Sequence, residues 1–204
     1  MCVKMGSVAV GSMILAGVVG TGSGGIITPT DAVASSEFSN SYLIGNTIDG
    51  SGLSAGDVAT ATHGNYARGN HWTTRAGEHV NANATYFFGH AETVRRFLLW
   101  NHRSNVIAAD SGYAIRTFDL EFFDSNAVLI GSVTGLSAEK DVDTAQVYTF
   151  AAVDGVLSVK ITIRENHGST QYTGLAEARF SSVPTPGGAG VVLAAGGLCA
   201  YRRR

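Results

Sequence analysis

Between residues 113 and 123 apolar and polar side chains alternate, with Phe118, Leu120 and Phe122 on one parity and Asp119 and Glu121 on the other. Successive side chains of a strand point to opposite faces, so a period of two makes one apolar face and one wet face. A helix would scatter the same residues around its axis. Residues 156–164 repeat the pattern, with Val159, Ile161 and Ile163 set against Lys160, Thr162 and Arg164. Shorter segments at 85–88, 96–100, 127–131, 146–151 and 175–180 are strand candidates by composition. Turn formers divide them: Asp110-Ser111-Gly112, Asp124-Ser125-Asn126, Asp154-Gly155 and Asn166-His167-Gly168. No stretch keeps a 3.6-residue period for three turns. Short strands punctuated by turns predict an all-β, antiparallel β-sandwich.

Charge divides the chain into a body and two ends. The net charge of the 204 residues is −2, but Lys4 and Arg202, Arg203 and Arg204 lie at the termini. The middle, residues 28–182, keeps ten cations against all sixteen acidic residues, a net charge of −6. An acidic body offers no electrostatic footprint for nucleic acid. Both cysteines, Cys2 and Cys199, lie outside the body, which therefore has no disulfide framework, thiolate zinc site or thiol nucleophile.

Residues 1–27 carry Lys4, an apolar run from Val8 to Val19 and the small residues Gly20 to Gly25. A basic start, an apolar core of about a dozen residues and a small-residue exit predict a secretory signal peptide. Gly20, Gly22 and Gly25 also match the dinucleotide fingerprint GxGxxG, but that motif must open a helix. Here Ile26-Ile27-Thr28-Pro29 follows, which is extended and proline-broken, so no nucleotide site is expected. At the other end Val183-Pro184-Thr185-Pro186 precedes glycines, then thirteen uncharged residues from Ala189 to Tyr201, then three arginines. That run is short against the ~20 residues that span a bilayer. Residues 183–204 resemble the bacterial PEP-CTERM sorting signal, with Thr185 where the commonest form has Glu. The resemblance implies an exported bacterial protein, membrane contact through the termini, and recognition of the tail by exosortase-type processing machinery. The localisation it implies is the cell envelope or extracellular matrix, after transient anchoring.

Within the body, Ala34-Ser35-Ser36, Ile48-Asp49-Gly50-Ser51-Gly52-Leu53-Ser54, His71-Trp72, residues 84–89 and Gly174-Leu175-Ala176-Glu177-Ala178-Arg179-Phe180 follow one another in order. The succession resembles the discoidin-like (F5/8 type C) galactose-binding-domain jelly rolls over roughly residues 32–181, with 56–69 as an apparent insertion. The resemblance implies a structural Ca²⁺ held by Asp49, with Ser54 as a weaker neighbour, and Glu177. A glycine-rich turn can aim carbonyl oxygens at an ion that takes six to eight of them. The competing reading has Asp49 capping a turn and Glu177 paired with an arginine such as Arg179 or Arg164.

For a glycan partner the useful groups are planar aromatics and amide or guanidinium donors. Trp100, Asn101, His102 and Arg103 concentrate all of these at a strand end, and Asn166 with His167 adds a second loop. His71 and Trp72 are further candidates, although tryptophans serve more often as core than as platforms. Six histidines and sixteen acids leave a hidden triad arithmetically open, but the body has no His-x-x-x-His pair and no Cys nucleophile, so no enzyme is expected. The expectation is an exported surface or matrix protein whose jelly roll binds glycan, or alternatively a structural or adhesive matrix protein without a ligand pocket.

Overall fold

The computed structural model describes residues 25–104 and 112–182. The signal-peptide expectation up to residue 24 and the whole sorting-signal expectation lie outside the described residues. Eight strands run in chain order: β1 (Ile26–Ile27), β2 (Asp31–Ala34), β3 (Trp72–Thr73), β4 (Asn83–Asn101), β5 (Ile115–Phe123), β6 (Leu129–Ser137), β7 (Gln146–Asn166) and β8 (Gly174–Ser181). All their pairings are antiparallel. Among the described residues no helix is long and apolar enough to cross a membrane.

Two long strands make the sandwich. The first half of β4 pairs with β2 and with residues 158–162 of β7, whereas residues 96–101 pair with β8 and residues 96–99 also pair with the start of β7. Register shifts between Phe87 and Arg96 mark the corner where β4 leaves one layer for the other. Bulges of this kind bend a strand and sharpen its twist. Sequence reading cut these elements in two: segments 85–88 and 96–100 are one strand, as are 146–151 and 156–164. Asp154-Gly155, expected as a turn, is instead the irregular point inside β7, with Gly155 at φ +77°. The positive φ that makes Asp-Gly a turn former equally serves a strand that must bend without ending.

The core follows the predicted parity. Phe118, Leu120 and Phe122 of β5 and Val159, Ile161 and Ile163 of β7 are fully buried, and meet Phe97, Leu99, Ala178 and Phe180 from β4 and β8. Cross-layer ring pairs lock the faces, with Tyr86 and Phe180 at 5.9 Å and Phe97 and Phe118 at 5.8 Å between centroids. On the outside of the first layer Arg164 meets Asp119 at 2.7 Å and Lys160 meets Glu121 at 3.3 Å. A smaller cluster of Leu98, Trp100, Ala176 and Ala61 lies on the outer face of β4 and β8, under the 53–63 segment. Trp100 Nε1 donates to the Ala61 carbonyl at 3.0 Å, which ties that covering segment to the sheet.

Candidate functional site

Five aromatic residues stand in connections rather than strands: Phe38, Tyr42, Tyr66, Tyr113 and Tyr172. With His102, just past the end of β4, they close a ring. Going round, the centroids are 5.7 Å apart for Phe38–Tyr42, 5.3 Å for Tyr42–Tyr66, 5.0 Å for Tyr66–His102, 5.4 Å for His102–Tyr113, 5.1 Å for Tyr113–Tyr172 and 5.5 Å for Tyr172–Phe38. Each spacing falls within the range at which aromatic pairs attract. The ring encloses a cup of about 160 Å³ lined by Phe38, Tyr66, Thr73, Tyr113 and Tyr172. That volume is below the roughly 300–1,000 Å³ of drug-sized sites, so the cup suits one small ring.

Thr73 completes the lining, and a group of buried polar atoms lies behind the ring. Thr73 Oγ1, His71 Nε2 and both ring nitrogens of His102 are buried with no hydrogen-bond partner. His71 packs 3.9 Å from Tyr66 and 5.2 Å from His102 between centroids. Its tautomer is set by Asn70, whose Oδ1 takes the Ala67 amide at 2.8 Å while its Nδ2 donates to the Asn65 carbonyl at 2.9 Å. The same Oδ1 lies 2.8 Å from His71 Nδ1, so Nδ1 carries the proton and Nε2 keeps its lone pair. Burial, then the neighbouring histidine charges, pushes His71 down to about 3. Burial likewise pushes His102 down to about 4, against an opposing pull from Asp141. Burial and neighbouring tyrosines raise Tyr66 and Tyr113 above the ordinary tyrosine value. Near neutral pH the cup therefore carries no net charge: apolar ring faces form its wall, tyrosine hydroxyls supply donors and acceptors, and the imidazoles packed on the ring are neutral.

Two wider polar hollows adjoin it. One, of about 640 Å³, shares Phe38 with the cup and is lined along β2 and the following loop by Ser35, Glu37, Asn40 and Arg75 among others. The other, of about 340 Å³, shares Tyr113 and is lined by His167, Ser169, Thr170 and Gln171. Among the described residues the cup thus lies between these two hollows.

The candidates read from sequence are not all gathered here. Trp100 is fully buried in the outer cluster and presents no face to a ligand. Asn101 is buried, and its amide bridges the Ile115 amide and carbonyl and the Glu139 carbonyl, all within 2.7–2.9 Å, which anchors the end of β4. His102 enters the ring. Arg103 is turned to the His63 carbonyl at 3.1 Å. Asn166 holds its own loop through the Ser169 and Tyr172 carbonyls, both at 2.8 Å. His167 lines the second side hollow and meets the Ala138 carbonyl through Nε2 at 2.9 Å. Phe38, Tyr42, Tyr66, Tyr113 and Tyr172 were not singled out, yet a signal existed. A large aromatic flanked by turn formers is not spent on a strand's buried face.

The three residues that the family resemblance assigns to calcium stand in different settings. Ser54 is exposed and its Oγ accepts the Thr62 amide at 3.0 Å, apart from the other two. Asp49 is exposed and accepts the Ser51 amide at 2.7 Å, the turn cap that was the competing reading. Glu177 is fully buried, with its Oε1 in an ion pair with Arg179 Nη1. Among the described residues no group of three or more His, Cys, Asp or Glu side chains is placed to hold a metal. A guanidinium and a divalent cation in one buried spot would repel each other.

No family model matches this sequence, and no curated protein matches it. Solved structures do resemble it in fold. A family 32 CBM from Clostridium perfringens NanJ, in complex with galactose, superposes with a TM-score of 0.54 at 19% identity, over 78% of this chain and 98% of that one. The lectin domain of lectinolysin, complexed with Lewis B antigen, gives 0.53 at 17% identity over 74% and 90%. A Streptococcus pneumoniae fucose binding module gives 0.54 at 14% identity over 78% and 96%. The expected jelly-roll β-sandwich is therefore the fold of this chain, and the likeness covers nearly all the residues described above.

Proposed function

We propose that this domain is a glycan-binding module that seats a neutral sugar ring in the aromatic cup. The closed ring of six aromatic side chains around a small uncharged cup carries the reading. The apolar C–H face of a pyranose matches the aromatic walls, and its hydroxyls match the phenol groups of the three tyrosines that line the cup. No cationic side chain lines the cup, so a carboxylate or phosphate would enter without compensation. The galactose, Lewis B and fucose named for the similar structures are of the same chemical class. The side hollows across Phe38 and Tyr113 favour a ligand that continues beyond one ring in both directions.

The test is a glycan array probed with the full chain, followed by calorimetry with one positive sugar at increasing chain length. Binding to neutral glycans, tightening from one to three units, is expected. An array with no positive, or one confined to anionic glycans, would overturn the assignment.

The biological setting follows the termini. The leader and the PEP-CTERM-like tail support export and sorting by exosortase-type machinery, with the domain acting at the cell envelope or in an exopolysaccharide matrix. One observation favours the adhesive alternative. Strand β6 lies at a sheet edge with Leu129 and Ile130 exposed, beside exposed Val128, an apolar edge on which another chain could pair. Self-association of the full chain with an empty glycan array would select that reading.

A further inference from the structure

We infer that the guanidinium of Arg179 is the built-in cation of this fold, held by the donor set that would otherwise take a divalent metal. Three kinds of donor were expected around an ion: a carbonyl of the first loop, the carboxylate of the last strand, and negative charge from the Asp-Gly turn. Each is present around Arg179. Its Nη1 donates to the Thr47 carbonyl at 3.4 Å and to the Ala178 carbonyl at 3.0 Å, and pairs with Glu177 Oε1. Its Nη2 lies under the Asp49-Gly50 turn, 3.7 Å from where a Cβ on Gly50 would stand. Burial raises the Glu177 carboxyl to about 8 and lowers Arg179, each partner favours the other's charged form, and Asp49 favours the charged arginine while opposing the charged glutamate.

The placement follows from strand parity. Glu177 and Arg179 stand opposite Trp100 and Leu98 of β4, so they share the outer face of β8 while Ala178 and Phe180 fill the core. The loop from Ile44 to Gly50 covers them, and Arg179 is only 4% exposed. Thr47 is in turn fixed by its hydroxyl, which donates to the Ile44 carbonyl at 2.7 Å and lies 3.2 Å from the buried Tyr86 hydroxyl. A fork-shaped cation can bind several oxygens at once, as a metal does, but it cannot dissociate. The junction between first loop and last strand thus needs no metal.

Thermal melts of the full chain in EDTA and in millimolar calcium chloride test this, with Arg179→Ala and Glu177→Gln/Arg179→Ala alongside. Wild type should melt alike in both buffers. Arg179→Ala should fall by at least about 6 °C in EDTA, because it strands a buried carboxylate. It should regain part of that loss in calcium, since the carboxylate and two carbonyls remain with room for an ion. The double variant should not respond to calcium. A wild type stabilised by calcium would make a metal the resident cation and overturn the inference. So would an Arg179→Ala that melts like wild type, or one that loses stability and ignores calcium. Folded Arg179→Ala obtained only in calcium is the expected result at its limit; none obtained in either buffer counts against it.

Discussion

The ring around the cup concentrates both its binding chemistry and its sensitivity to acid. Tyr113 borders two hollows and packs on His102 and Tyr172, so its ring is a central wall of the site. Tyr113→Ala is expected to weaken sugar binding by about 2 kcal/mol, roughly thirtyfold, as truncated aromatic anchors do. Trp100→Phe should instead leave binding unchanged and cost about 2–3 kcal/mol of stability, because it removes the bond to the Ala61 carbonyl and leaves part of the buried indole's volume empty. Calorimetry and denaturant melts on the two variants separate these outcomes. The histidines set the acid response. His71 and His102 are held at about 3 and about 4 in the folded chain, below the ordinary 6.5. Between those values the unfolded chain binds protons that the folded one excludes. Stability is thus fully present above about pH 6.5 and falls with acid, by up to roughly 1.4 kcal/mol per histidine per pH unit. His102→Gln should flatten that decline between pH 6.5 and 4.5, and an unchanged slope would show that His102 titrates normally. Of these residues His102 and His71 were legible as chemistry-bearing types. The tyrosines look like ordinary core residues until their position in turns is weighed.

The short contact between β3 and β8 decides an element. Thr73 pairs with Gly174, and a Cβ added at Gly174 would stand 2.1 Å from the Trp72 carbonyl oxygen. That contact is with backbone and cannot be relieved by a rotamer. Gly174→Ala should therefore cost about 2–3 kcal/mol in a denaturant melt. It should also disturb the cup, since Thr73 completes its lining and Trp72 Nε1 holds the Ser36 carbonyl at 2.8 Å, just before Phe38. A variant with wild-type stability would mean that β3 can part from β8 without loss. At this scale the alternation in β5 and β7 was plain from sequence, because parity is a property of neighbouring residues. The continuity of β4 and β7 was not. Whether Asp154-Gly155 ends a strand or bends it depends on β4, more than fifty residues away, which keeps pairing across the bend through Val94 and Val153 and through Glu92 and Val156.

For the molecule as a whole, strands β1 to β8 and both apolar clusters pair and pack among themselves. On the proposed sorting role of the tail, a chain ending at residue 182 is expected to keep the full-length thermal midpoint while losing delivery by the sorting machinery. Calorimetry and cell fractionation would check the two halves, and a lowered midpoint would mean that the tail packs on the body. The alternating segments and the turns between them determined an all-β sandwich from the sequence alone, since burying one face of many short strands has few solutions. The sequence also put Glu177 in an apolar setting where a bare charge could not remain, which called for a cation without saying which one. Tertiary structure decided that the cation is Arg179, because only the fold of residues 44–50 over β8 brings the Thr47 carbonyl and the Asp49-Gly50 turn to the guanidinium. It alone assembled the cup as well. Residues 38, 42 and 66 come from the β2–β3 connection, 102 and 113 from the β4–β5 connection and 172 from the β7–β8 connection, and no local pattern encodes the loop closures that bring neighbouring rings within 6 Å.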